Sequence, residues 1–232
     1  ETGKQAWQLD LRTEFDINAR LPWGLCGSPL LVDGKVVVYP GGDDGALAAI
    51  DPANGEIAWR SNGKPAAYGS LILAELGGKQ QIVGFDEGSL GGWDPVNGKR
   101  LWTVTPSKGN EFQVPTPLVY RGSLIVTTEN NCTRRFQFQP GGQVVPDPVA
   151  RCQELNPDTQ SPVIVGNRLL GVSQELVCID LEQGLKVLWK GEDSAFNGHV
   201  SLIASENRVL ACSESGELLL IDPTLDRMRI IS

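Results

Sequence analysis

The chain has 232 residues, 41% hydrophobic and 21% charged, the composition of a globular protein large enough for one substantial core. A formal net charge of −8 and a pI near 4.8 speak against nucleic acid as the partner, which would need clustered Lys and Arg, and the adjacent pair Arg134 and Arg135 points to opposite faces of a strand. With 27 glycines and 15 prolines punctuating the chain, no apolar run approaches the roughly 20 residues of a membrane-spanning helix.

Taken from the N-terminus, Gln5 to Leu11 reads as a single strand carrying Trp7, followed by a long linker from Arg12 to Gly27. Ser28-Pro-Leu-Leu-Val32 and Lys35-Val-Val-Val-Tyr39, joined by Asp33-Gly34, form a hairpin signal. A third strand ends at Asp51 and a fourth carries Trp59, with the phrase Asp51-Pro-Ala-Asn-Gly55 between them. This order, strands A to D, then recurs. Asp94-Pro-Val-Asn-Gly98 precedes Trp102, Asp180-Leu-Glu-Gln-Gly184 precedes Trp189 with one inserted residue, and Asp222-Pro-Thr-Leu-Asp226 is a worn copy. Between the second and fourth copies, Gln139-Pro-Gly-Gly142 stands where the Asp phrase belongs. Trp59 and Trp102 are 43 residues apart, and Trp102 and Trp189 are 87 apart, two periods with the signature lost in the middle.

Four short antiparallel strands at a period in the low forties predict an all-β fold, a β-propeller of four-stranded antiparallel blades. Residues 1–232 read as one propeller domain with five whole blades, at about 28–62, 69–105, 116–151, 161–192 and 200–232, and residues 1–12 as the last strand of an upstream blade. That lone D strand either belongs to blades upstream or closes the ring against the last blade. Because residues 200–232 read as holding all four of their own strands, the first alternative is adopted and the chain is read as part of a larger ring.

The phrase Ala49-Ile-Asp51-Pro-Ala-Asn-Gly55-Glu-Ile-Ala-Trp59 closely resembles the tryptophan-docking motif, A-x-D-x-x-x-G-x-x-x-W, of the PQQ-like repeat proteins. That family includes the quinoprotein alcohol dehydrogenases and the BamB lipoproteins of outer-membrane β-barrel assembly. The resemblance covers nearly the whole chain and implies that Trp7, Trp59, Trp102 and Trp189 pack blade against blade. The motif is specific for a fold and nearly silent about chemistry.

An enzyme would need equipment that is hard to find. The adjacent cysteine pair of the quinoprotein dehydrogenases is missing, no C-x-x-C-H haem attachment occurs, and no G-x-S-x-G elbow or phosphate-binding glycine loop is present. The single histidine, His199, excludes multi-histidine metal sites. Gly41-Gly42-Asp43-Asp44-Gly45 reads as a B–C turn. No catalytic residue, metal or cofactor is assigned; PQQ with calcium enters only under the alternative of a dehydrogenase completed by other blades.

Of the five cysteines, Cys132 and Cys152 bracket the irregular repeat and are the candidate disulfide, with two free thiols as the alternative; Cys178 and Cys212 read as core. No charged-then-apolar leader stands at the N-terminus, so a periplasmic or secreted bacterial location rests on this bridge and on the family resemblance.

In a propeller the segments leading into strand A and the B–C turns share one face around the channel. Each lead-in brings an aromatic or amide side chain, and Trp23, Tyr68, Phe112, Gln160 and His199 are the candidate ligand-binding set at the channel mouth. Trp23 lies outside the docking register and is the residue packing explains least. The B–C turns add Asp43, Asp44, Asp86, Glu87, Glu129, Glu175 and Glu214, a candidate acidic face for a cation or a basic partner, or simply repeated turn chemistry. The reading is a scaffold that binds a protein or small ligand, with no nucleic acid partner and no membrane span.

Overall fold

The computed structural model describes residues 3–17, 22–42, 46–109 and 113–232. It is all-β apart from two short helical turns, with four four-stranded antiparallel sheets and one three-stranded sheet. Two compact units carry them: residues 1–106 with 139–143, and residues 107–138 with 144–232.

In the first unit, β1 (Leu30–Val32), β2 (Lys35–Val38), β3 (Leu47–Ile50) and β4 (Ile57–Ser61) form one sheet, and β5 (Ile72–Leu76), β6 (Lys79–Asp86), β7 (Ser89–Trp93) and β8 (Arg100–Val104) the next. The hairpin from β1 to β2 turns through Asp33 (φ 47°) and Gly34 (φ 73°), left-handed values whose twist matches the strands. Period-two alternation puts Val32, Val37, Leu47 and Ala49 of the first sheet against Leu71, Ile82 and Trp93 of the second. The opposite face of the first sheet is covered by the N-terminal segment, where Phe15 and Ile17 pack with Leu11 on Val38, Ala48 and Ile57. This segment contains α1 (Leu11–Glu14), capped by the Asp10 carboxylate.

The strand expected over Gln5 to Leu11 is not formed: residues 3–10 lie outside any strand, because among the described residues no neighbouring strand supplies ladder hydrogen bonds, and the chain turns helical at Leu11.

In the second unit, β9 (Leu118–Tyr120), β10 (Ser123–Thr128), β11 (Cys132–Phe136) and β12 (Ala150–Cys152) form the third sheet. The fourth is β13 (Val163–Val165), β14 (Arg168–Ser173), β15 (Glu175–Asp180) and β16 (Lys186–Gly191), and the fifth β17 (Val200–Ala204), β18 (Val209–Ser213) and β19 (Leu218–Ile221). The fifth was expected to hold four strands. Its last is reduced to a bridge between Ile221 and Ile230 and two backbone bonds joining Leu220 to Ile231 and Ser232.

The Asp phrase is one structure repeated. Asp51 Oδ1 accepts the Ala53 N–H at 2.8 Å and Asp94 Oδ1 that of Val96 at 3.0 Å, while the Gly55 and Gly98 N–H groups each return to the Asp carbonyl at 2.8 Å. Gly55 and Gly98 have φ of 80° and 70°, and a Cβ on either would lie within 2.8 Å of the Trp7 or Trp59 ring. The Trp7 indole N–H donates to the Pro52 carbonyl at 2.7 Å, and that of Trp189 to Leu225 at 2.9 Å. The residue inserted in the fourth copy, Leu185, is absorbed at φ 64°.

Trp102 is held differently. Its indole N–H donates to Gln81 Oε1 at 2.5 Å, and the Gln81 amide donates in turn to the Gly142 carbonyl at 2.8 Å. The segment Gln139–Gln143, which replaces an Asp phrase, is thereby part of the first unit.

Candidate functional site

The chain approaches each strand A through an irregular segment, and within both units these segments are clasped in pairs. Ser70 Oγ accepts the Ser28 N–H at 3.0 Å in the first unit, and Ser161 Oγ accepts the Thr116 N–H at 2.9 Å in the second. These serines were not singled out from the sequence, although a hydroxyl residue just before strand A in four of the five repeats was the signal.

In the first unit Trp23 is 62% exposed and meets Tyr68 edge to face, with centroids 5.5 Å apart and planes at 76°. They lie 45 residues apart in sequence, about one repeat. The exposed Cys26 thiol donates to the Trp23 carbonyl at 3.2 Å and fixes the turn beneath it. An isolated bridge joins Ala66 to Asp86, and the Glu87 N–H donates to the Pro65 carbonyl at 2.9 Å, so the lead-in and the B–C turn of this sheet share one end.

In the second unit the Gln160 amide donates to the Gly198 carbonyl at 3.2 Å, and Thr159 Oγ1 lies 2.9 Å from His199 Nδ1. The His199 backbone N–H donates to Glu214 Oε2 at 3.2 Å, bringing a B–C turn to the same place. These residues line an open groove of about 420 Å³ of mixed character, with Ser161 and Ser213 beside Leu202 and Cys212. On the other side of the loop at 193–198, Ser173, Glu175, Glu192, Asp193 and Asn197 line a second groove of about 490 Å³. Gln160 and His199 thus come together in one unit and Trp23 and Tyr68 in the other. Phe112 lies outside the described residues.

The acidic set is not one open face. Asp86 is 2% exposed, paired with Arg100 Nη1 at 2.6 Å and hydrogen-bonded by Ser89, which removes it from the surface and makes it a structural ion pair. Glu175 pairs with Lys190 at 2.9 Å, and Lys190 also holds Glu154 at 2.6 Å; these two carboxylates raise the lysine pKa above its ordinary value. Glu87, Glu129 and Glu214 are exposed, and Asp43 and Asp44 lie outside the described residues.

The cysteines also depart from expectation. Cys132 and Cys152 are both buried free thiols. The strand register pairs Cys152 with Thr133 and Cys132 with Thr128, so the two cysteines are not opposite one another and the expected bridge is not formed. Cys178 is in the core, where burial pushes its thiol pKa up to about 11, but Cys212, also expected there, is exposed because it points to the other face of β18.

Residues 1–145 match the family described as outer membrane protein assembly factor BamB. No curated protein matches the sequence. Among solved structures, BamB from Moraxella catarrhalis is similar at TM-score 0.61 and 17% identity, over 88% of this chain and 60% of that one. The quinohemoprotein alcohol dehydrogenase of Comamonas testosteroni is similar at TM-score 0.63 and 14% identity, over 90% of this chain and 42% of that one. A computationally designed protein, Ika8, is similar at TM-score 0.61 and 15% identity, over 87% of this chain and 59% of that one. The chain spans about three fifths of the BamB length or less than half of the dehydrogenase, and at these identities the likeness is one of fold. With a sheet repeated five times and a family match over more than half its length, the chain belongs to the BamB-like family of PQQ-like repeat β-propellers.

Proposed function

We propose that this chain is a non-catalytic binding scaffold of the bacterial envelope, holding an extended protein segment against the segments that lead into its A strands. The observation that carries the reading is the pairwise meeting of those lead-ins, Trp23 with Tyr68 and Gln160 with His199, each beside a B–C turn. An exposed indole offers apolar area, and the groove beside His199 offers hydroxyls, an amide, an imidazole and the Glu214 carboxylate, the mixture that peptide backbone and side chains require. The name of the family, an outer membrane protein assembly factor, supports a polypeptide ligand and an exported location.

The second reading, a PQQ-dependent dehydrogenase, has the fold of the quinohemoprotein relative in its favour. Within this chain the five cysteines include no adjacent pair, and among the described residues no three His, Cys, Asp or Glu side chains cluster so as to hold a metal ion, so this reading needs a cofactor site supplied by blades outside the chain. Calorimetric titration of the full natural polypeptide with PQQ and calcium separates the two. The scaffold reading expects no saturable heat and no turnover of an alcohol–dye couple, and tight PQQ binding with turnover overturns it.

A further inference from the structure

Asparagine followed by glycine loses its side-chain amide readily, because glycine carries no Cβ to keep its backbone nitrogen away from the Asn side chain. The chain holds four such pairs, Asn54-Gly55, Asn62-Gly63, Asn97-Gly98 and Asn197-Gly198. In the reaction the glycine nitrogen attacks the Asn Cγ and a carbon–nitrogen bond forms. The bond to Nδ2 breaks, and ammonia leaves with the glycine's proton. Water then opens the cyclic imide to aspartate or to its β-linked isomer, isoaspartate. Water is the one co-reactant, so the local geometry of each pair decides whether it reacts.

The fold treats the four pairs in two ways. Asn54 and Asn97 sit in the Asp phrases, where both reacting groups are held. The Gly55 and Gly98 N–H groups donate to the Asp51 and Asp94 carbonyls at 2.8 Å, while Asn54 Oδ1 accepts the Glu56 N–H at 3.0 Å and Asn97 Oδ1 that of Lys99 at 2.9 Å. Reaction there requires the turn to open first. Asn197 is the opposite case. It is exposed at the end of the one-turn helix Ser194–Phe196, and among the described residues neither its side-chain amide nor the Gly198 N–H has a hydrogen-bond partner. Asn62, just past the end of β4, is exposed and equally unbonded.

Asn197 differs from Asn62 in what surrounds it. It lines the groove of about 490 Å³ that already carries Glu175, Glu192 and Asp193. The next carbonyl, Gly198, accepts the Gln160 amide at 3.2 Å, and the His199 N–H beyond it donates to Glu214. Conversion of Asn197 puts a further carboxylate into the groove, and the isoaspartyl form adds a methylene to the main chain just ahead of those two bonds.

We infer that Asn197 is a self-modifying site: the folded protein converts it with time to aspartate and isoaspartate, and the conversion weakens polypeptide binding beside His199, an effect that rests on the proposed function. The folded protein is incubated at mildly alkaline pH and sampled by peptide mass mapping, which reads the exchange of ammonia for water at each pair. Asn197 should convert about tenfold or more faster than Asn54 and Asn97, with Asn62 converting alongside it, and in urea the four rates should come within about threefold of one another. Equal rates for Asn197, Asn54 and Asn97 in the folded protein overturn the inference. A ratio that survives in urea overturns it too, since neighbouring sequence and not the fold then sets the rates. Binding is read with a peptide of alternating apolar and polar residues, comparing aged with fresh parent and aged with fresh Asn197→Gln. Ageing should weaken the parent about threefold or more and leave Asn197→Gln within about twofold of its fresh sample. Equal losses in the two overturn the effect on binding. A fresh parent that binds no peptide overturns the proposed function instead, and the conversion rates, which need no ligand, still decide whether Asn197 is the modified site.

Discussion

Replacing Gln81 by leucine removes the side chain that ties Trp102 to the Gln139–Gln143 segment. Gln81 is fully buried; its oxygen accepts the Trp102 indole N–H at 2.5 Å, and its amide donates to the carbonyls of Gly142 at 2.8 Å and Leu76 at 3.3 Å. Leucine nearly preserves the volume, so the cost is electrostatic: each buried group left unpaired is worth about 1–3 kcal/mol. The Trp102 N–H has no route to water beneath the sheet, whereas the Gly142 carbonyl sits in a loop, so we expect a total of about 2–4 kcal/mol. Trp102→Phe, which removes the donor and keeps an aromatic ring, should cost less than the sum implies when added to Gln81→Leu, with a coupling of about 1 kcal/mol or more. Urea unfolding followed by circular dichroism gives the four free energies, and limited proteolysis should cut Gln139–Gln143 faster in Gln81→Leu. A Gln81→Leu variant within about 0.5 kcal/mol of the parent, or strict additivity, would refute the proposed lock.

Trp59→Ala should destabilise by about 3–5 kcal/mol in the same assay, since its ring fills most of the space above Gly98, where only the small Ser61 side chain also reaches. Asp86→Asn, which leaves the Arg100 guanidinium over the Trp93 ring without its carboxylate, should cost about 1–3 kcal/mol in thermal melting without altering ligand binding. Cys178 keeps its proton more tightly folded than unfolded, so its contribution is complete below the ordinary thiol pKa of 9.0 and is lost as pH rises through about 11; stability measured from pH 8 to 11 should fall over that window, and Cys178→Ala should flatten the fall. Denaturing alkylation without reductant should label both Cys132 and Cys152, whereas a retained bridge between them would contradict the register of their strands.

What the sequence made legible was the local grammar. Asp33-Gly34, Asp51 with Gly55, and Asp94 with Gly98 fix their own backbone, so they can be read without knowing what lies opposite. What stayed hidden depends on partners distant in the chain. Gln81 meets Gly142 across 61 residues, and nothing near either announces the other. Asp86 and Glu87 look alike as turn carboxylates, yet strand parity turns Asp86 inward to Arg100 and leaves Glu87 in solvent. Cys178 and Cys212 lie on corresponding faces of successive sheets, and only the packing of the fifth sheet on the fourth buries Cys178, while Cys212 stays exposed. At the candidate site, repeat spacing placed Trp23 near Tyr68 and Gln160 near His199, because equivalent positions of successive blades are neighbours; the serine clasps and Thr159 beside His199 are side-chain contacts that spacing cannot supply.

The central claim is that the lead-ins to the A strands bind extended polypeptide. Its most direct test is fluorescence anisotropy of labelled peptides, about ten residues long with the alternating apolar and polar pattern of outer-membrane strands, titrated with the parent chain, Trp23→Ala and His199→Ala. The account predicts saturable binding that Trp23→Ala, His199→Ala or each of them weakens about tenfold while their melting temperatures stay within a few degrees of the parent, Trp23 being 62% exposed and His199 lying at the surface of its groove. Binding unchanged in both variants, or no binding to the parent at any peptide concentration, would contradict it.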